Sequence, residues 1–441
     1  MSSSTEVAEG YGDPYAPNSG NPGYHVELYD LDLTYRVRTN RLDGVAILSV
    51  LSTSALTSLS LDLVGLQVSQ VRVNGNKVKH KQTEAKVRVS LPASVAANTR
   101  FAIEIDYSGK PAPRKTRWGR IGWEELEDGS IVASQPTGAP TWFPCNDHPA
   151  QKSRYRISVT TEKEYHVVAN GVPAGSVSRG GDRTWKFYQD IPAATYLATV
   201  QIGAYVSEEI DLGGVPGSLH YPHKLKARVH HDFAGLPQMV ATFSELFGPY
   251  PLTKYAAVIT ADTLEIPIEA QGMATFGENH ADGERGSERL IAHELAHQWF
   301  GNSVGVAGWR HIWLNEGFAC YSEWIWSEVS GGPSAHERAL SYYAKIAALP
   351  QDIRVADPGP ELMFDDRIYK RGALTVHALR LTVGDEAFFN LVRSWTALKQ
   401  HGVATTDEFI AHAEESTGKP LGAFFAAWLE GLALPALPVS S

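Results

Sequence analysis

The sequence predicts a multidomain α and β chain, with a β-sandwich-like N-terminal domain followed by a mainly helical one. Apolar and polar residues alternate with a period of two in short runs from Tyr24 to about Val229, the pattern of half-buried strands. From Asp232 onward helical spacing replaces it. The 441 residues, 43% hydrophobic and 20% charged, are enough for two or three domains with well-buried cores. The expected organisation is a flexible leader over residues 1–22, a β-domain over 23–230 and a helical domain over 231–441.

Bulk properties narrow the function. A net charge of −10 argues against nucleic acid or an anionic membrane as partner. Cys145 and Cys320 are far apart and lack metal-ligand spacing, so both read as small core residues rather than a disulfide. No stretch reaches the roughly eighteen apolar residues of a membrane span. The first residues carry neither a basic start nor an apolar run, so the expected compartment is the cytoplasm.

Residues 1 to 22 are rich in Ser, Gly, Pro and Asn and offer little to bury, so they read as a mobile leader or an arm laid on the surface. Strand patterns follow at Leu31, Leu33, Tyr35 and Val37, and at Val71 and Val73 before Asn74-Gly75, a hairpin signal. They continue through Val87, Val89 and Leu91, then Phe101, Ile103 and Ile105. After a Pro-rich segment they resume at Tyr155, Ile157 and Val159, at Trp185 and Phe187, and from Tyr196 to Tyr205. Leu236, Met239, Val240, Phe243 and Phe247 then line one helix face, stopped by Gly248-Pro249. A short apolar strand runs from Tyr255 to Thr260. Later helices are expected over 334–349 and after the capping box of Thr405 and Glu408.

The chemistry lies in His293-Glu294-Leu295-Ala296-His297. Ser287 offers an N-cap, and Leu290, Ile291, Leu295 and Trp299 give the helix apolar anchors. Residues four apart share a helix face, so His293 and His297 can present two imidazoles to one point, with Glu294 beside it. Two neutral imidazoles and one carboxylate, with a fourth position left to water, are what catalytic zinc takes. Glu316, near the start of the apolar segment 312–329, is the natural third ligand. The bland alternative, a helical His-Glu pair with no metal, is outweighed by this context.

The run His293 to Gly301, the eighteen residues between His297 and Glu316, and Asn315-Glu316-Gly317-Phe318-Ala319 together resemble the zinc aminopeptidase family of aminopeptidase N and leukotriene hydrolase. The resemblance implies a thermolysin-like zinc peptidase domain preceded by a β-rich domain. It implies one Zn²⁺ held by His293, His297 and Glu316, with Glu294 as general base. Tyr369, three residues before Gly372-Ala373, matches the tyrosine whose hydroxyl points at the scissile carbonyl. The family carries Gly-Ala-Met-Glu-Asn on an edge strand, where its Glu receives the substrate's α-amine. Here only the continuation is legible: Glu269 to Phe276 aligns with Glu-Asn-Trp-Gly-Leu-Ile-Thr-Tyr, which makes Glu269 the amine-binding carboxylate and Gly272 a further substrate-binding position. The Gly-Ala-Met half is missing. Glu278-Asn279 lacks the required continuation.

The segment from Ser134 to Pro149 resembles the family's linker beneath the active site, which places Gln135 near the substrate's amino terminus; His148 replaces a usual acid. Phe424 to Leu429 resembles the family's closing stretch, and the helical domain that roofs the cleft in larger relatives is not expected. The implied activity is aminopeptidase hydrolysis of peptides with a free N-terminus. The alternatives are a non-catalytic scaffold on the same fold and a hydrolase of a non-peptide substrate.

Overall fold

Alternation decides the first half of the chain. Along Tyr24–Arg36 the side chains of Tyr29, Leu31, Leu33 and Tyr35 are fully buried while their neighbours are not. In the computed structural model, which describes residues 12–438, this strand pairs antiparallel with Arg41–Ser52 and parallel with Lys152–Glu162. They form the middle of an eight-stranded sheet. A five-stranded and a three-stranded sheet contribute Trp123, Val132, Leu61 and Val87 to the same core, which Trp142 and Phe143 fill. The Asn74-Gly75 signal forms a hairpin: both residues have positive φ, 48° and 79°, and Val73 pairs with Asn76.

A second core begins earlier than residue 231. Tyr205–Asp211 and Pro216–Pro222, expected with the β-domain, hydrogen-bond into a different sheet with Tyr255–Ile259, Met273–Phe276 and Ile268–Ala270. Their Leu219 and Tyr221, with Leu212 from the turn between them, belong to the same core as Phe243, Leu295 and Trp299. A period of two identifies a strand but not the sheet it joins. Helices cover this sheet: Leu236–Phe247, Glu288–Ala296, Trp313–Val329, Asp366–Val383 and others. Ser334 and Thr405 both close capping boxes, with Glu337 and Glu408.

The described part of the leader is an ordered arm and not a flexible one. Residues 1–11 lie outside the described residues, but 12–22 form a strap fastened to both cores. Asp13 accepts a hydrogen bond from the Trp309 amide at 2.6 Å, and the Tyr15 hydroxyl accepts one from the Gly359 amide at 2.8 Å. Further on, the amides of Gly20 and Asn21 donate to Asp62 and Asn146. Composition shows few large apolar residues there, yet a few polar anchors suffice to order a short segment. Among the described residues no helix is long and apolar enough to cross a membrane. Both cysteines are free and buried.

Candidate metal centre

The Glu288–Ala296 helix is seated by Ile291 and Leu295, both fully buried. Ser287 takes its N-cap position without making a side-chain capping bond. His297 stands at its C-terminal end, still in helical conformation, so the two rings remain neighbours with centroids 4.8 Å apart. Glu316 enters from the first turn of Trp313–Val329. Its Oε2 lies 3.5 Å from His293 Nε2 and 3.4 Å from His297 Nε2. A tetrahedral zinc with bonds of about 2.0–2.1 Å sets its ligand atoms about 3.4 Å apart, so these three atoms fit that ion.

The imidazole tautomers fit as well. His297 Nδ1 is 3.0 Å from the Phe300 carbonyl oxygen, an acceptor only, so in the neutral ring the proton sits on Nδ1 and Nε2 is left to bind a metal. His293 Nδ1 is 2.8 Å from Glu323 Oε1, and Arg289 holds the other oxygen of Glu323 at 3.1 Å. Burial works against charge on both rings. Even so, Glu316 and Glu323 hold His293 up at about 9, and Glu316 with Glu269 holds His297 up at about 10. For Glu316 burial would raise the carboxyl, but His297 and His293 hold it down at about 2. The cluster is built around a carboxylate flanked by groups that attract positive charge.

Three further groups surround it. Glu294 is 4% exposed, and its Oε2 is enclosed with no protein partner; burial raises its carboxyl, opposed by His293 and His297. Glu269, half-buried on the Ile268–Ala270 edge strand, brings a carboxylate oxygen within 4.8 Å of both Glu294 and His297. Burial first, then Glu316 and Glu294, push it up to about 8 against the pull of His297. Tyr369 stacks on His293 at 6.2 Å and 18°. Its hydroxyl is held well above the usual phenol range by burial and by Glu316, Glu269 and Glu294. Two glycines allow this approach. A Cβ on Gly317 would lie 2.9 Å from the Gly372 backbone, and one on Gly372 would lie 2.9 Å from Gly317 Cα, so the helices carrying Glu316 and Tyr369 cross in backbone contact.

Comparison with known proteins places this geometry. Residues 25–197 match the family model described as Peptidase M1 N-terminal domain, and 234–428 match Peptidase family M1 domain. A solved structure of a mutant M1 zinc metallopeptidase from Deinococcus radiodurans, bound to a Tyr-Ser-Ala substrate, is 31% identical, with 98% of this chain and 99% of that one covered and a TM-score of 0.90. The chain belongs to the M1 peptidase family. A leucyl aminopeptidase of Saccharolobus solfataricus is 26% identical over 94% of this chain and 54% of its own length. The chain spans about half the length of the curated relatives it matches. Yeast LTA4 hydrolase, 20% identical with a TM-score of 0.80 over 95% of this chain and 69% of that one, shares the fold.

The remaining M1 site candidates are placed unevenly. Gln135 is half-buried with its Nε2 enclosed, and among the described residues it makes no side-chain hydrogen bond to the cluster. Gly272 has φ of 72°, and its backbone is already engaged: its amide donates to Gln298 at 2.9 Å and its carbonyl accepts from Ala256 at 3.0 Å. Glu278 is occupied elsewhere, paired with Lys224 at 2.9 Å. His148 makes a local turn contact with the Ala150 amide. Sequence reasoning overlooked Glu323. Its signal was available, since it follows Glu316 by seven residues, two helical turns along the same face.

Proposed function

We propose that this M1 chain is a zinc-dependent aminopeptidase that removes the N-terminal residue of peptides, with one zinc ion held by His293, His297 and Glu316. Zinc bound there supplies Lewis acidity and a water acidified toward neutral pH. Glu294 takes the proton of the attacking water and returns it to the departing amine. Its raised affinity for a proton and its unpartnered oxygen suit both halves of that transfer. Tyr369 donates its hydroxyl to the oxyanion that develops on the scissile carbonyl.

The reading rests chiefly on Glu269, whose carboxylate lies within 4.8 Å of Glu294 and His297. One residue spans at most about 3.6 Å of chain. An α-ammonium held by Glu269 therefore leaves room for a single residue before the reacting carbonyl, which makes an exopeptidase. Gln135 stands as a secondary contact to the amine, supported by its enclosed, unpartnered Nε2. The free buried cysteines are compatible with a reducing compartment, and we assign the cytoplasm.

The test is Glu294→Gln on the full chain. Metal analysis should find zinc retained, while hydrolysis of an unblocked aminoacyl reporter falls by about 10²–10⁴, the scale of a lost general base. Near-normal turnover would remove Glu294 from the mechanism. No hydrolysis by the zinc-loaded wild type of any aminoacyl reporter would favour the scaffold reading.

A further inference from the structure

The strand that carries Glu269 has only three residues, Ile268–Ala270, and stands at the edge of its sheet. So short an edge strand has one ladder, to Met273–Phe276, and sheet pairing alone fixes it weakly. The turn that follows is instead fastened directly to the histidine helix. Gln298, adjacent to His297 and fully buried, accepts the Gly272 amide at 2.9 Å through Oε1 and donates through Nε2 to the Glu294 carbonyl at 3.2 Å. Asn302, also fully buried, donates Nδ2 to the Ala270 carbonyl at 2.8 Å and to Gln298 Oε1 at 3.1 Å, while its amide donates to the His297 carbonyl at 2.9 Å. From the opposite side, Asn170 of the β-rich domain donates to the Gln271 carbonyl at 3.0 Å. The Gln298 and Asn302 links join the backbone beside Glu269 to the chain beside His297 and Glu294, while Asn170 holds the turn from the other domain.

We infer that Gln298 and Asn302 are positioning residues that set the distance between the amine anchor Glu269 and the metal centre, and so fix the register at which one residue is removed. The inference rests on the reading of Glu269 as the amine anchor. Neither side chain faces substrate; both act through the hairpin. Side-chain hydrogen bonds of fixed length hold such a distance more sharply than apolar packing, because each has a narrow range of length and angle.

The experiment uses Gln298→Met, which keeps the volume and removes both polar ends, with Gln298→Glu as the conservative partner and Asn302→Ala as an independent variant should the first not fold. Zinc content should stay at the wild-type level. For a free-amine reporter, KM should rise about tenfold, the scale of a buried hydrogen bond, with a smaller change in kcat. Gln298→Glu, which still accepts the Gly272 amide, should recover most of the loss. In a Glu269→Ala background, Gln298→Met should add little, since the group it positions is gone. Equal factors with and without Glu269 would overturn the inference. If Glu269→Ala itself leaves discrimination against an N-acetylated reporter unchanged, the amine-anchor reading has failed instead. Hydrogen exchange at the Gly272 amide then judges the bracket alone: faster exchange in Gln298→Met supports it, and an unchanged rate overturns it.

Discussion

Each imidazole of the centre has its Nδ1–H pinned by a different acceptor, Glu323 for His293 and the Phe300 carbonyl for His297. These contacts aim Nε2 before any ion arrives, and a carboxylate acceptor also makes the ring more basic. Glu316→Ala should lose zinc in metal analysis as well as activity, because two imidazoles alone hold it weakly. Glu323→Ala should keep the ligand set but lower zinc affinity by about 10–100-fold, read by competition with a chelator. Unchanged affinity would make Glu323 a partner of Arg289 only. The histidines and Glu294 were legible because helical period alone puts them together. Glu323 shares a helix face with Glu316, seven residues earlier, but that spacing points to the histidine pair only once Glu316 is taken as a ligand. Glu269 was reached only through resemblance, since no spacing rule links an edge strand to a helix.

At the scale of elements, the crossing of Trp313–Val329 and Asp366–Val383 sets the position of Tyr369 relative to Glu316. Gly317→Ala places a methyl carbon 2.9 Å from the Gly372 backbone, closer than real Cβ contacts come, so one helix must move. Overpacking of this kind costs about 1–3 kcal/mol, and thermal unfolding should show the loss. The displaced Tyr369 should lower kcat more than it raises KM, because its hydroxyl acts on the developing oxyanion. A variant that unfolds earlier but keeps its kcat would show that the crossing does not position Tyr369. The first helix was legible as the apolar segment 312–329, and the second was reached only through the resemblance that marks Tyr369. Their contact was not legible, since a glycine pair separated by 55 positions (317 and 372) has no local signature. For the same reason a boundary drawn at residue 230 did not show that Tyr205–Asp211 and Pro216–Pro222 join the second core, which long-range packing of Leu219 and Tyr221 decides.

At the scale of the whole molecule, the strap and the β-rich domain meet at a buried polar hub. Asp62 accepts from the Gly20 amide at 3.1 Å, from Asn21 at 2.9 Å and from the Asp147 amide at 3.1 Å, and pairs with Lys86. Asp147 itself is 3% exposed; Thr195 donates to its Oδ1 at 2.7 Å and its Oδ2 has no protein partner. Burial first, then the charge of Asp62, push its carboxyl up to about 7. The folded value thus exceeds the unfolded one of about 3.9, so between these values the folded chain keeps a proton that the unfolded chain has released. The contribution of Asp147 to stability is therefore full below about pH 4 and is lost as pH rises to about 7, by an amount on the order of a few kcal/mol. In Asp147→Asn the carboxamide oxygen can still accept from Thr195 but nothing titrates. The Tm of the wild type relative to this variant should accordingly fall as pH is raised from about 4 to about 7 and change little above it. Using the difference between two proteins cancels the other titrating groups, which are common to both. Parallel Tm curves across that range would mean that the carboxyl is ionised in the fold, with Lys86 and the surrounding amides offsetting its burial.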